Sequence, residues 1–385
     1  MLRRTALSKA VQLAAAALML GSAPVAAQEA DGTRTIPRAF GPAWSHGGDR
    51  LALFMKGEIR STLGVYDPAT GETTPLREMR FASGVTPSWM PGDSAILTQD
   101  LTTSTEAERG RKYSNPNLLL VDIASRECTQ LTSAEGMMMR HARISYDGVL
   151  LVFDGPKLGT PFTVASVRVE RTERGERVET PIQVPYTGLW LLSVSGGELT
   201  LLFPGDDAME DAPQFSPDGT YVLFSRYTDV GRGDRRSVKR NVSAYHLADK
   251  QMRLLTDDDR SHSATWSPDG TSIAYTAGER GDELWLMQAD GSDPRMIKGG
   301  GLVIHDPRTV TWTPDGRFIL FLSKGDIFAV PTVGVGLYAL TEGADISPLY
   351  GFSLHPDADR IAFTRGLDTA VIMALDWSKV PAATP

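Results

Sequence analysis

Six histidines stand in the 385-residue chain, and three of them are candidates for chemistry. His141 follows Arg140, and His305 precedes Asp306 and Arg308; His262 stands alone in a polar stretch. Imidazole and carboxylate are ordinary ligands for a divalent metal, and His262 and His305 are the candidates for that role. Arg140 and Arg308 carry guanidinium forks that suit a carboxylated ligand. A second cationic set, Arg232, Arg235, Arg236, Lys239 and Arg240, outnumbers Asp229 and Asp234 in the same stretch. It can receive an anion such as a uronate, a phosphate or an acidic peptide. The plainer alternative for each group is a strand-end cap or a solvated loop. Only the elements that carry these residues decide between the two.

Those elements form a repeat. Trp266-Ser267-Pro268-Asp269-Gly270 leads to Ile273-Ala274-Tyr275, and the unit recurs from Phe215 and from Trp312. Four weaker copies line up in the same register, so that repeats start at 44, 89, 144, 215, 266, 312 and 354. Pro before Asp-Gly fixes φ and Gly supplies a positive φ, which makes a tight turn between two strands. A third apolar run follows in every unit, and several units close with a fourth, such as Gln130-Leu131-Thr132 and Arg253 to Thr256. Four short strands per unit, repeated seven times, predict an all-β fold: a seven-bladed β-propeller of four-stranded blades, whose strands we call A to D in order. The last unit supplies only three strands. Thr33 to Arg38 is therefore expected to add its outer strand and close the ring, hiding an open edge.

The Ser-Pro-Asp-Gly turns with trailing Leu-Thr resemble the WD40-like repeats of the TolB-type propeller family, from about Arg38 to Trp377. The resemblance implies a propeller and an envelope-associated interaction, without specifying the partner. TolB itself carries an α/β domain ahead of its propeller; here residues 28–43 alone precede the first repeat, so a stand-alone propeller is expected. The same repeats form the propeller half of prolyl-oligopeptidase-type peptidases, and no residues remain for their hydrolase domain. Some propellers of related repeats cleave uronate-containing oligosaccharides with metal-bound histidines at the channel mouth. That is the alternative reading, a metal-assisted, oligouronate lyase-like enzyme.

The repeat register places the chemistry. A–B turns lie on one face of the disc, and B–C and D–A connections lie on the other. Three consecutive B–C connections are long: 101–116, 155–187 and 227–241. Insertions confined to one face mark a binding face. Within the second, Val164 to Arg171 and Arg177 to Val184 read as a hairpin. Four residues before each repeat start stand Phe40, Val85, Arg140, Asp211, His262, Arg308 and Tyr350. With His141, His305 and Asp306 they form a candidate ligand site at the channel mouth. His46 and His355 fall in A–B turns and read as structural. Met137 to Met139, the Asp257 to Asp259 run and Cys128 read as gap-filler, acidic turn and inert thiol.

Composition bounds the rest. Glycine (37) and proline (24) are abundant, as many short turns require, and one cysteine excludes an internal disulfide or a multi-cysteine zinc site. Arg3, Arg4 and Lys9, an apolar run from Val11 to Leu20 and small residues to Ala27 read as a signal peptide over 1–27 without a lipobox. Removing those three cations takes the formal net charge from −8 to −11. The expected molecule is periplasmic or secreted, monomeric and without a membrane span. Its partner is an envelope protein, a peptide or a small anionic ligand rather than nucleic acid. No Gly-x-Ser-x-Gly, His-Glu-x-x-His or phosphate-cradling glycine loop occurs, so no catalytic residue and no resident cofactor is assigned. Residues 378–385 form a short polar tail.

Overall fold

A computed structural model describes residues 27–28, 32–79, 86–107, 111–132, 139–157, 163–171, 177–184, 187–203, 208–228, 238–279, 281–299, 304 and 310–380; for 101–116, 140 and 163–184 only the backbone is considered. Each repeat start ends an A strand, and the Asp-Gly turn after it leads into strand B. Blade 1 shows the plan: Ala39–Trp44, Leu51–Lys56, Ser61–Tyr66 and Thr73–Met79 pair antiparallel in chain order. Seven such sheets stand around one axis, so the fold is an all-β seven-bladed propeller.

The repeated motif is spent on the turn. Ser145, Ser216, Ser267 and Thr313 each donate a hydroxyl hydrogen bond to the aspartate two residues on, at 2.5 to 2.6 Å. The same hydroxyls accept the N–H of the residue five on, where strand B begins. Each aspartate then accepts the N–H two residues beyond itself. The hydroxyls of Ser145 and Ser267 hold the carboxyls of Asp147 and Asp269 below the usual carboxylate range. These bonds fall on Oδ1 of each aspartate and fix the turn.

The core lies between sheets. At the junction of blades 7 and 1, Trp44, Leu51 and Leu53 pack on Ile36, Ala362 and Ala370. Trp89 and Trp312, both at repeat starts, donate their indole N–H to Ala43 O and Thr265 O of the preceding blade, at 2.9 and 3.3 Å. Blades 2 and 6 are thereby stitched to blades 1 and 5.

Ring closure follows the expectation. Arg34–Pro37 pairs antiparallel with Thr369–Ala374 of blade 7, in the register Arg34 with Ile372 and Pro37 with Thr369. Ala27–Gln28 adds a fifth strand outside it, paired to Arg34 and Thr35. One short 3₁₀ turn, Trp377–Lys379, ends the described chain, and Val380 packs against the core of blades 6 and 7. Among the described residues no helix is long and apolar enough to cross a membrane.

Candidate functional site at the channel mouth

The A strands reach the axis through a bulge. In blades 1, 3, 4 and 5 the A–B register slips between the residue four before the repeat start and the residue one before it. The residue three before the start is left-handed: Gly41 at φ 59°, His141 at 49°, Ala212 at 51° and Ser263 at 53°. Glycine takes that conformation freely, whereas His141 and Ser263 hold it against steric cost, the kind of local strain that concentrates at bulges and sites. The bulge turns the freed N–H towards the preceding blade. Gly41 N donates to Thr364 Oγ1 and Ser263 N to Ser225 Oγ, both at 2.9 Å. Both acceptors are the tenth residue after a repeat start, a register that also holds Gln99, Asp154 and Thr276. A polar seam thus runs around the inner B strands.

Two of the expected site residues join this seam. His141 Nδ1 lies 2.5 Å from Oδ1 of Asp154, which is completely buried. His141 also lines a cavity of about 50 Å³ between blades, with Gln214, Ser263 and Thr265. His262 Nδ1 lies 2.6 Å from Thr276 Oγ1, while that hydroxyl donates its one proton to the carbonyl of His262 at 3.0 Å. Nδ1 must therefore carry a proton and donate it, which leaves the Nε2 lone pair as the basic position. Burial first, and then the charge of Arg240, push the pKa of His262 down to about 4.

Arg240 links His262 to the other residues. It pairs with Tyr227 across the B and C strands of blade 4, Tyr221–Thr228 and Lys239–His246. Tyr227 is raised well above the usual phenol range by burial and then by the carboxylate of Asp211, to which it is hydrogen bonded. Asp211, Tyr227, Arg240 and His262 therefore form one connected polar group. One correction follows: Lys239 and Arg240 belong to strand C rather than to a loop, and Lys239 forms an exposed ion pair with Asp259 at 3.1 Å. The Tyr350 ring packs on Phe40 at 5.5 Å, against the apolar cluster of blades 1 and 2. Arg140 is placed by its backbone, which pairs with Asp154. His305, Asp306, Arg308, Arg232, Arg235 and Arg236 lie outside the described residues.

The state of His262 gives a measurable consequence. An unfolded histidine titrates at about 6.5 and the folded one at about 4, so the unfolded chain takes up the proton first. Stability should be constant above pH 6.5 and fall by about 3 kcal/mol as pH drops towards 4. Urea midpoints measured across that range should show this limb, and His262→Gln should remove it.

Sequence reasoning missed a second group, at the junction of blades 3 and 4. Lys157 ends strand B of blade 3, Leu150–Pro156, and is 1% exposed. Its Nζ lies 3.0 Å from Oε2 of the fully buried Glu210 and donates to Ala208 O at 2.8 Å. The contact with Oε2 is an ion-pair approach rather than a well-aligned hydrogen bond. Arg226 Nη1 donates to Glu210 Oε1 at 2.6 Å, and its guanidinium lies over the Phe203 ring. A Cβ at Gly188 would come within 2.8 Å of the Lys157 chain, so glycine there makes its room. The available signal was a lysine closing the apolar run Leu150 to Phe153.

The long B–C connections of blades 2 and 3 carry paired strands. In blade 2, strands Ala95–Ala107 and Arg111–Asp122 run 13 and 12 residues, about twice the length of their counterparts in blade 1. In blade 3, Thr163–Arg171 and Arg177–Val184 form a separate two-stranded sheet, as the sequence led us to expect. In blade 4 both strands run 8 residues.

The geometry can be set beside known proteins. Over 129 residues the chain is 31% identical to the Tol-Pal system protein TolB of Anaeromyxobacter dehalogenans. The match spans 32% of this chain and 27% of that protein, so the chain spans about a quarter of the length of the curated relatives it matches first. The chain is a TolB-like β-propeller. No family model matches it. The propeller is also 28% identical over 111 residues to the uncharacterized peptidase YuxL of Bacillus subtilis, covering 28% of this chain and 16% of that one. Among solved structures, an oligogalacturonate lyase in complex with manganese superposes with a TM-score of 0.65 over 92% of this chain and 97% of that one. At 15% identity that likeness is one of fold.

Proposed function

We propose that this TolB-like propeller is an exported binding scaffold of the cell envelope. Its partner, a protein, a peptide or a small anionic ligand, is received on the face that carries the B–C ribbons. The observation that carries the reading is the enlarged B–C connection of two consecutive blades, by strands of 13 and 12 residues in blade 2 and by an added two-stranded sheet in blade 3, beside a closed ring. A rigid ring presents such ribbons with little ordering cost on binding. The match to TolB supports an envelope role, and the signal-like leader supports export.

Site-specific photo-cross-linking tests it. A cross-linker placed in the blade 2 or blade 3 ribbon should trap a defined partner in envelope preparations, and one placed in the A–B turns should not. Shortening the connection within 229–238, which leaves the paired strand residues in place, should abolish that product at an unchanged thermal midpoint; an unchanged product would overturn the reading.

A metal-assisted lyase is the second reading, favoured by the connection of Asp211, Tyr227, Arg240 and His262 at the mouth. Among the described residues no three histidine, cysteine, aspartate or glutamate side chains form a metal-binding group. The described side chains therefore do not make a metal site, and no step is derived through one. Metal analysis of the purified protein, with and without His262→Ala and His305→Ala, separates the two readings.

A further inference from the structure

On the face opposite the ribbons, the A–B turns of blades 4 and 5 enclose a groove of about 280 Å³. Its walls are aromatic. Tyr221 and Trp266 line it with ring centroids 6.5 Å apart, and His246 backs Tyr221 at 4.7 Å. Tyr221 remains 36% exposed, so an occupant can reach its face. Pro217 and Leu255 give the groove an aliphatic lining.

The rim is anionic. Asp218, Asp269 and Asp290 face the single guanidinium of Arg253, which donates to the backbone carbonyl of Asp290. All three carboxyls are held below the usual carboxylate range by a balance of hydrogen bonds and burial, so they are charged at neutral pH. The indole N–H groups of Trp89 and Trp312 bond to the preceding blade, whereas those of Trp44 and Trp266 are buried with no hydrogen-bond partner. Here the side chain of Gln214 accepts the backbone N–H of Trp266 at 3.1 Å, and the indole is left as groove wall.

We propose that this groove binds an alkylammonium group, its aliphatic chain lying between Tyr221 and Trp266 and its charge facing the three rim aspartates. Aromatic faces attract organic cations through the ring quadrupole, and an apolar lining disfavours small, strongly hydrated metal ions. A carboxylated or phosphorylated ligand would meet three like charges against one guanidinium. The site is independent of the ribbon-bearing face and stands or falls separately from the scaffold reading.

The source of the ammonium is either a free diamine or a lysine side chain of another protein, and calorimetric titration distinguishes them. The full chain is titrated with 1,5-diaminopentane, with Nα-acetyl-lysine N-methylamide and, as the uncharged control, with 1-pentanol. Saturable binding of at least one amine, at least tenfold tighter than pentanol, is the expected result, and the tighter of the two names the source. Tyr221→Ala should weaken that binding about tenfold. Asp290→Asn, a milder change at the rim, should weaken it several-fold and make it less sensitive to salt. Absence of saturable binding by both amines at millimolar concentration would overturn the proposal. So would binding of pentanol as tight as that of the amines, or unchanged affinity in both variants.

Discussion

Replacing Glu210 with alanine should lower the unfolding free energy by about 3–5 kcal/mol, the loss expected when one partner of a buried charge group is removed. The carboxylate stands between two cations, Lys157 Nζ at 3.0 Å and Arg226 Nη1 at 2.6 Å, and it is completely buried. Without it, Lys157 keeps a contact with the carbonyl of Ala208 but sits buried without its counter-charge. Glu210→Gln should lose nearly as much, because the amide keeps the shape and removes the charge. A triple replacement of Lys157, Glu210 and Arg226 by apolar residues of similar volume should recover most of the stability, since the desolvation cost of all three ions disappears together. Urea unfolding of the three proteins measures this. A loss below about 1 kcal/mol for Glu210→Ala would show the group to behave like a solvated surface pair. Lys157 directly follows strand B of blade 3, Leu150–Pro156, so the same group anchors the end of that strand.

Local chemistry was legible in the sequence, and cross-blade chemistry was not. Ser-Pro-Asp-Gly announces its turn because hydroxyl, carboxylate and left-handed glycine act within a few residues of one another. The repeat register also picked out His262 and Asp211, which the structure links through Tyr227 and Arg240. Register gave position around the axis but not surroundings. Tyr350 and His262 share a register, yet Tyr350 meets Phe40 in an apolar junction and His262 meets Thr276 and Arg240 in a polar one. The pairing of His141 with Asp154 and that of Lys157 with Glu210 join residues at non-equivalent places in the repeat, so no periodicity could announce them. Tyr227 and Arg240 were read inside a loop because strand length in an insertion depends on pairing, which one dimension does not show. The missing fourth strand of the last blade was the exception. A deficit in a counted repeat is itself a long-range signal, and it pointed to the N-terminal segment.

That closure sets the largest expected effect. Ile36 is completely buried in the junction of blades 7 and 1, and its strand is the only tie between the first described blade and the last that runs through a shared sheet. Ile36→Ala should cost about 2–5 kcal/mol, the range for a large-to-small change in a packed core. Removing residues 27–37 should do more. It deletes the four-residue ladder to Thr369–Ala374, exposes that strand as an unprotected edge and uncovers Trp44, Ala370 and Ile372. Scattered side-chain ties would remain, from Gly41 N to Thr364 Oγ1 and Trp44 N to Ser353 Oγ at 2.9 Å, from Lys56 Nζ to Asp368 Oδ2 at 2.8 Å and between His355 Nε2 and Gly48 O at 3.0 Å. Such bonds contribute about 1 kcal/mol each and cannot replace a buried strand. The truncated chain should therefore unfold at least about 10 °C earlier, and it should self-associate through the exposed edge, which thermal scans and light scattering would register together. If a synthetic peptide of residues 27–38 restored the midpoint when added back, strand pairing itself would be identified as the closing interaction. A truncated protein with an unchanged midpoint would mean that the ring is held by its inter-blade seams alone.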